Sequence, residues 1–536
     1  MSSGGFLKAL SVPDAKPRSP SKPGERYRRL PTGAHGIDPE EVKRDQRERL
    51  QNAIVELIAE RGYQAVRILD LTKLARVSRP TFYSLYDDKE ELFLSAYDEI
   101  AQRTARTVIG AYEAQDAPNG RLQAAIRSFA ELAAAAPEAM SLMVLGAFGA
   151  GPKAIERRNH TLAALEQSIR VSRDGVGGGG ARRRAGKKPG SKAPRTPHES
   201  GVDLTVKVIL GGIREVTAAR LRQGRVGELP GLADELATWA ACYPVKLPAG
   251  LQVPPRASRT GPGEPDGGSG EERKEPGSGR AGSDEMAGRE PGRNGRSGRT
   301  SSPSERALLA EGRLPSGRHD LPRQFIVKNQ RERIVDATAA IVAEKGLANL
   351  TIPEIARRAN VSHQTFYEMY PTKHDAFLGT QKVGLHQALR VTVEAYEENK
   401  EDWPRGVAAG LRALLGYLAS EPAHAHLILV DTFAASPEAI EIRDTSIHAF
   451  AAYLQPGYHY TSKNGATAGT PPADAAPGVA PEAIAGGIWQ VLNYYIEDER
   501  TVELPEVAPQ LIYAALTPFI GPKEAAKAAR RAPSRG

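Results

Sequence analysis

Residues Gln46 to Leu94 recur without a gap 284 positions later, at Gln330 to Leu378, with 19 of the 49 aligned positions identical. An ungapped repeat of this length constrains the chain before any local reading, because whatever the first copy folds into, the second must fold into as well. The identities fall at particular places. QRER opens each copy (Gln46 to Arg49, Gln330 to Arg333), Gly62 matches Gly346, and VS precedes TFY in both (Val77, Ser78, Thr81 to Tyr83; Val361, Ser362, Thr365 to Tyr367). Tyr86 and Tyr370, Lys89 and Lys373, and Phe93-Leu94 and Phe377-Leu378 follow. The likeness continues downstream: Pro137 to Arg158 aligns with Pro422 to Arg443, GGIREV at Gly211 with GGIWQV at Gly486, and ELPGLA at Glu228 with ELPEVA at Glu503. Whole two-part modules are duplicated.

Apolar residues recur at spacings of three and four, as in Leu50, Ile54, Leu57, Ile58 and in Ala124, Ile126, Phe129, Leu132, which predicts helices. Strand alternation is absent, so the expected class is all-α, two tandem modules each with an N-terminal helix-turn-helix and a C-terminal helical domain. The 53 glycines and 40 prolines concentrate between the periodic segments. The boundaries read as a disordered basic arm over 1–43, helix-turn-helix 1 over 44–94, and regulatory domain 1 over 95–246 with a loop at 172–200. A disordered linker over 247–325, helix-turn-helix 2 over 326–378, regulatory domain 2 over 379–523 with a loop at 456–480, and a basic tail over 524–536 complete the chain.

The 72 Lys and Arg against 64 Asp and Glu give a net charge of +8 and favour a polyanionic partner. Cys242 is the only cysteine, which excludes a disulfide framework or thiolate metal cluster and fits a reducing compartment. With no N-terminal apolar segment and no long apolar run, the expectation is a cytoplasmic, nucleoid-associated protein without membrane partners. GxSxG, P-loop and paired metal-ligand spacings are missing, so neither an enzyme nor a cofactor nor a metal is expected. His424 and His426 stand two apart, which on a helix points them to different faces.

Within each repeat, a long helix (about 44–61, about 328–345) closes at Gly62 or Gly346. A short helix follows (Ile68 to Ala75, Ile352 to Ala359), then a tight turn at Arg76-Val77 or Asn360-Val361. Ser78 and Ser362 are placed to cap a third helix, Pro80 is tolerated in its first turn, and Phe82 and Phe366 face the core.

The strings VSRPTFYSLYDDKEELF and VSHQTFYEMYPTKHDAF resemble the turn, recognition helix and following helix of the tetracycline-repressor (TetR) family of bacterial transcription regulators. The resemblance implies double-stranded DNA as partner. Contacts are expected from Ser78, Thr81, Tyr83, Ser84, Tyr86 and Lys89 in the first copy, and from Ser362, Thr365, Tyr367, Tyr370 and Lys373 in the second. Arg79 and His363, flanked by Pro80 and Gln364, hold the variable positions expected to face base edges. Thr351 stands before the second helix, where the first copy departs from the family pattern with Arg67. The resemblance also implies an apolar effector enclosed by the regulatory helices, with Tyr112, Phe129, Met143 and Phe148, or Tyr396, His424, Phe433 and Trp489, as lining. The Gly-Gly pairs at 211 and 486, with Ile213, Val216 and Leu221, or Ile488, Val491 and Leu492, look like paired helices of a four-helix interface. The expected function is therefore an effector-controlled repressor. Its two unlike recognition helices act as an internal pseudo-dimer on an imperfect palindrome, with a homo-oligomer as a further option. The alternative is a sensor or scaffold whose DNA-reading helices are inactive.

Overall fold

Asp38 accepts the Glu40 N–H at 3.0 Å and Pro39 occupies the first helical position, so α1 (Pro39–Arg61) starts ahead of the expected residue 44. The computed structural model describes Tyr27 and residues 38–176, 204–244, 247–248, 251, 323–463 and 476–531. Most of the basic arm, nearly all of the 172–200 loop and of the 247–325 linker, and residues 464–475 of the second loop lie outside the described residues.

After α1 come α2 (Ile68–Ala75), α3 (Arg79–Tyr83), α4 (Lys89–Glu113), α5 (Pro118–Ala135), α6 (Pro137–Ser141), a π turn at Leu142–Gly146, α7 (Ala147–Ala150), α8 (Pro152–Val176), α9 (Leu204–Arg222) and α10 (Leu229–Ala241). The second module repeats the order. It has α11 (Arg323–Lys345), α12 (Ile352–Ala359), α13 (His363–Met369), α14 (Lys373–Glu397), α15 (Trp403–Ser420), α16 (Pro422–His426), a π turn at Leu427–Asp431, α17 (Thr432–Ala435), α18 (Pro437–Ala452), α19 (Gly457–Lys463), α20 (Ala480–Glu497) and α21 (Ala508–Arg530). Among the described residues there is no strand.

Helix α11 likewise starts ahead of its expected residue 328, and two later boundaries differ as well. Helix α19 occupies the start of the 456–480 loop, where Tyr458 packs edge-on against Phe519 and donates its hydroxyl to the Pro477 carbonyl at 2.6 Å. The tail expected from 524 is helical to Arg530: the chain kinks at Gly521 (φ 74°), Pro522 restarts the helix, and Ala525, Ala526 and Ala529 are buried. Small alanines made this stretch read as a solvated basic tail.

By its contacts the chain forms two units. One comprises Met1–Pro194, Gly201–Pro254 and Arg333–Gly536; in the other, Arg195–Ser200 and Pro255–Glu332, the described residues are the first turns of α11. Within the larger unit the first helix-turn-helix has its own core, built on Leu50, Ile54, Phe82 and Phe93. A second core runs from α5, α9 and α10 through α20 and α21 into the second helix-turn-helix.

That continuity depends on α9 and α20, the most extensive helix contact in the protein. A Cβ added to Gly211 would lie 2.7 Å from Gln490 Cβ, and one added to Gly212 would run into the Ala483 carbonyl oxygen and the Trp239 ring. Reciprocally, a Cβ on Gly486 would meet Glu215, and one on Gly487 would meet the Val208 carbonyl and lie 2.8 Å from Val208 Cγ1. Each Gly-Gly pair thus seats against the helix that carries the other. Around them, Tyr243 donates to the Ala514 carbonyl at 2.9 Å and Glu235 accepts the Val479 N–H at 3.1 Å.

Replacing Gly487 by Val should therefore cost about 1 to 3 kcal/mol or more through overpacking against backbone that cannot yield. Gly416 in α15 has nothing within 4 Å of an added Cβ, so Gly416→Ala should be neutral or stabilise by up to about 1 kcal/mol. Thermal unfolding of the two variants checks both; equal melting temperatures would contradict the packing account.

Candidate nucleic-acid interface and effector cavity

Both helix-turn-helix units are held by the same few contacts. Gly62 and Gly346 end the first helices at φ 74° and 76°, values a side chain would resist. The turn between the second and third helices passes through a left-handed residue, Arg76 (φ 53°) or Asn360 (φ 51°). The repeated QRER motif acts here. Arg49 is buried in α1 and donates Nη1 to the Ala75 and Arg76 carbonyls at 2.7 and 3.2 Å, while Asp45 accepts from its Nε at 2.9 Å. Arg333 gives Nη1 to the Asn360 carbonyl at 3.1 Å. The guanidinium thereby satisfies carbonyls at the end of the second helix that have no partner within it. The sequence marked these arginines as repeated without assigning them a task.

Ser78 and Ser362 cap the third helices, accepting the Thr81 and Thr365 N–H at 3.2 and 3.0 Å. Their hydroxyls also lie 2.7 and 2.9 Å from those of the same threonines. Phe82 and Phe366 are fully buried, which turns Tyr83 (56 % exposed) and Tyr367 (55 %) outward. Arg79, Ser84, His363 and Gln364 are exposed beside them; Ser84 donates to the Thr81 carbonyl and Gln364 Nε2 to Glu368 at 3.1 Å. Thr351 is exposed and its side chain makes no capping hydrogen bond, whereas the Asp70 carboxylate accepts the Arg67 N–H in the first copy.

Of the expected contact residues, Tyr86, Tyr370 and Lys89 are drawn inward, whereas Lys373 stays exposed. Tyr86 and Tyr370 are buried at 5 % and 8 % exposure against Phe82 and Phe366, with ring centroids 6.1 Å apart in each copy. The aromatic ring is worth more in the core than at the surface, and burial raises the Tyr86 phenol above its ordinary range. Lys89 is half-buried and donates to the Tyr63 and Val66 carbonyls at 2.9 Å each, its ammonium 4.0 Å from the Tyr63 ring centre. Desolvation lowers its pKa. Lys373 gives its ammonium to the Leu350 carbonyl at 2.8 Å. Both lysines pin the loop that leads into the second helix.

In the second module, α14, α15, α18 and α20 line an apolar cavity of about 80 Å³. Leu385, Leu411, Phe450 and Tyr453 line it together with the expected Tyr396 and Trp489. His424 does not line it; its imidazole lies 3.8 and 3.6 Å from the Asp336 and Glu421 carboxylates. Tyr112 instead stacks near Arg121, Phe129 and Met143 are half-buried against the core, and the side chains of Phe148 and Phe433 lie outside the described residues. The position of Trp489 is taken in the first module by Arg214, whose pKa burial pushes down to about 10. Arg214 donates to the Val144 carbonyl at 3.4 Å and Gln490 Oε1 at 3.2 Å.

The π turns, which periodicity could not reveal, connect these parts. A π turn breaks the regular hydrogen-bond ladder, so its carbonyls need outside donors. Asn493 Nδ2 bonds the Leu429 carbonyl at 2.8 Å, and Arg214 reaches the corresponding Val144 carbonyl. In each module a side chain of the helix bearing the Gly-Gly pair is thus tied to the π turn. In the first module that turn packs against α1 of the helix-turn-helix.

Among the described residues no single helix is long and apolar enough to cross a membrane. The family described as bacterial regulatory proteins, tetR family, matches at residues 50–96 and again at 334–378, the two repeats. The chain is 27 % identical over 197 residues to the HTH-type transcriptional regulator EthR of Mycolicibacterium smegmatis, a match covering 35 % of this chain and 83 % of that protein. Similar solved structures include the transcriptional regulator FadR from Bacillus subtilis in complex with stearoyl-CoA, at 18 % identity and a TM-score of 0.29. That match covers 36 % of this chain and 96 % of that one. A TetR-like transcriptional regulator from Rhodococcus sp. RHA1, at 16 % identity and a TM-score of 0.28, covers 38 % of this chain and is itself covered over 96 %. Two family matches in one chain, one at each copy of the repeat and each opening its own set of regulatory helices, make it a DNA-binding transcription regulator of the tetR family, built as a tandem fusion of two family modules.

Proposed function

We propose that one chain is a complete effector-controlled DNA switch, in which α9 and α20 pair the two modules as an internal pseudo-dimer and the unlike helices α3 and α13 read the two halves of one operator. The observation that carries this reading is the reciprocal seating of the two Gly-Gly pairs within one chain. In a two-fold DNA reader such a seam sets the separation of the recognition helices, which must match about one helical turn, roughly 34 to 36 Å. On α3, Tyr83 and the Ser78 and Thr81 hydroxyls beside the helix N-terminus suit phosphate, as do Tyr367, Ser362 and Thr365 on α13, with Thr351 and Lys373 flanking. Arg79 suits guanine O6 and N7, whereas His363 and Gln364 present different groups to the other half-site. Lys89, Tyr86 and Tyr370 act by fixing the reading head.

The effector site of this switch is the cavity of the second module, which fits a small apolar molecule. Its Trp489 wall belongs to α20, and the Arg443 guanidinium lies 4.9 Å from the indole centre while pairing with Glu215 on α9. An occupant that moves Trp489 therefore acts on the seam directly. Release of DNA follows if the occupied cavity favours a seam geometry in which the two readers no longer span one turn, which makes the protein a repressor.

Selection from a random DNA pool should return an imperfect palindrome with unlike half-sites. Arg79→Ala should weaken binding by about 1 to 3 kcal/mol and relax preference in one half only. Recovery of a strictly symmetric site would contradict the reading. For the cavity, the apolar dye Nile red should bind saturably at one equivalent per chain, and Leu411→Trp, which fills it, should abolish that binding. Unchanged dye binding in the Trp variant would place the effector elsewhere.

A further inference from the structure

The charges along the α9–α20 seam are divided unequally between the modules. Of the side chains that meet a side-chain partner across it, the first module supplies Arg158, Lys207, Arg214, Arg220 and Arg222 with one carboxylate, Glu215. The second supplies one cation, Arg443, and three carboxylates, Asp444, Glu482 and Glu497. Arg220 holds Glu482 through two bonds of 2.8 and 3.0 Å, and Arg222 holds Asp444 through bonds of 2.8 and 3.1 Å. Arg443 grips Glu215 at 2.8 and 2.6 Å. Across the pseudo-axis, Glu497 accepts from Asn159 at 3.0 Å and from Arg158 at 3.5 Å. Lys207 lies 4.0 Å from the Tyr494 ring centre and pairs with Glu166 of its own module.

The repeat alignment converts this into a statement about partners. Lys207 corresponds to Glu482, Arg220 to Tyr495, Arg222 to Glu497, Glu215 to Gln490 and Asn159 to Asp444. A seam between two first modules would set Arg220 against Lys207 and leave Arg222 facing Asn159. One between two second modules would set Glu497 against Asp444 and Tyr495 against Glu482. Arg443 is buried and Glu215 largely so; between two second modules Arg443 would face Gln490 in place of Glu215, whereas between two first modules Glu215 would still meet Arg158 and the penalty falls on Arg220 and Arg222. The Gly-Gly pairs carry no such discrimination, being the same in both modules. Shape permits three pairings and charge permits one.

We infer that this division of charge is a partner code: the seam accepts only the unlike module, so a chain closes on itself and does not pair like with like in a second copy. The inference rests on the internal pairing proposed above and concerns how that pairing is selected.

The test exchanges the code in the full chain. One variant places first-module residues in the second (D444N, E482K, Q490E, Y495R, E497R); another does the reverse (N159D, E166A, K207E, E215Q, R220Y, R222E); a third carries both sets. Each half-exchanged variant should melt about 5 °C or more below the natural protein and recover with added salt as like charges are screened. The doubly exchanged chain should regain most of the loss and sediment as one chain, and the two half-exchanged variants mixed should form a two-chain complex that neither forms alone. If the half-exchanged chains do not fold, the double exchange must still do so. Losses that simply add in the double exchange, or half-exchanged chains that melt like the natural protein, would overturn the inference. A two-chain mass for the natural protein would strike only the internal pairing; recovery by the double exchange would still support selection of unlike modules.

Discussion

The approach of α9 to α20 at the two Gly-Gly pairs is the constraint on which the remaining arrangement depends. Four positions without side chains let two helices come close enough for Gln490 to lie over Gly211 and Glu215 over Gly486, and the charged residues flanking them then meet at hydrogen-bond distance. Close approach alone is non-selective. The buried ion pairs contribute little net stability once desolvation is counted, but they penalise the wrong partner heavily. Packing gives the seam its strength and charge gives it its identity.

From the seam, physical connection runs outward in both directions. Arg214 and Asn493 leave α9 and α20 to bond buried carbonyls of the π turns, and in the first module the turn leans on α1. Arg49 in α1 in turn holds the carbonyl end of α2, immediately before the reading helix. Lys153 with Glu90, at 2.9 Å, and Gln64 with the Gly149 carbonyl, also at 2.9 Å, strap the first helix-turn-helix to its regulatory helices. Apart from the packing of the π turn on α1, each link is a bond between a side chain and either a carbonyl or an opposite charge. Together these contacts connect α9 to the end of α2 in the first module.

Much of this was legible in the sequence. The ungapped repeat gave two modules, the Ser caps and glycine stops gave the helix-turn-helix, and the Gly-Gly pairs pointed to the interface, because each depends on local backbone chemistry. What was not legible depends on distant partners. Tyr86 and Tyr370 were read as DNA contacts since a tyrosine near a recognition helix serves either surface or core, and only the packing against Phe82 and Phe366 decides. His424 looked like cavity lining, yet carboxylates from α11 and its own helix draw it aside. The π turns and the tail of α21 left no periodic signature. The charge code sits in plain view, but it acquires meaning only when α9 is laid against α20.

The central claim is that one chain carries a whole DNA-reading assembly. Sedimentation equilibrium of the protein on a duplex containing its selected site measures this most directly. One chain of 57.6 kDa per duplex, at every protein concentration up to saturation, is the predicted result. Two chains per duplex, bound cooperatively and with like modules on the two half-sites, would contradict it.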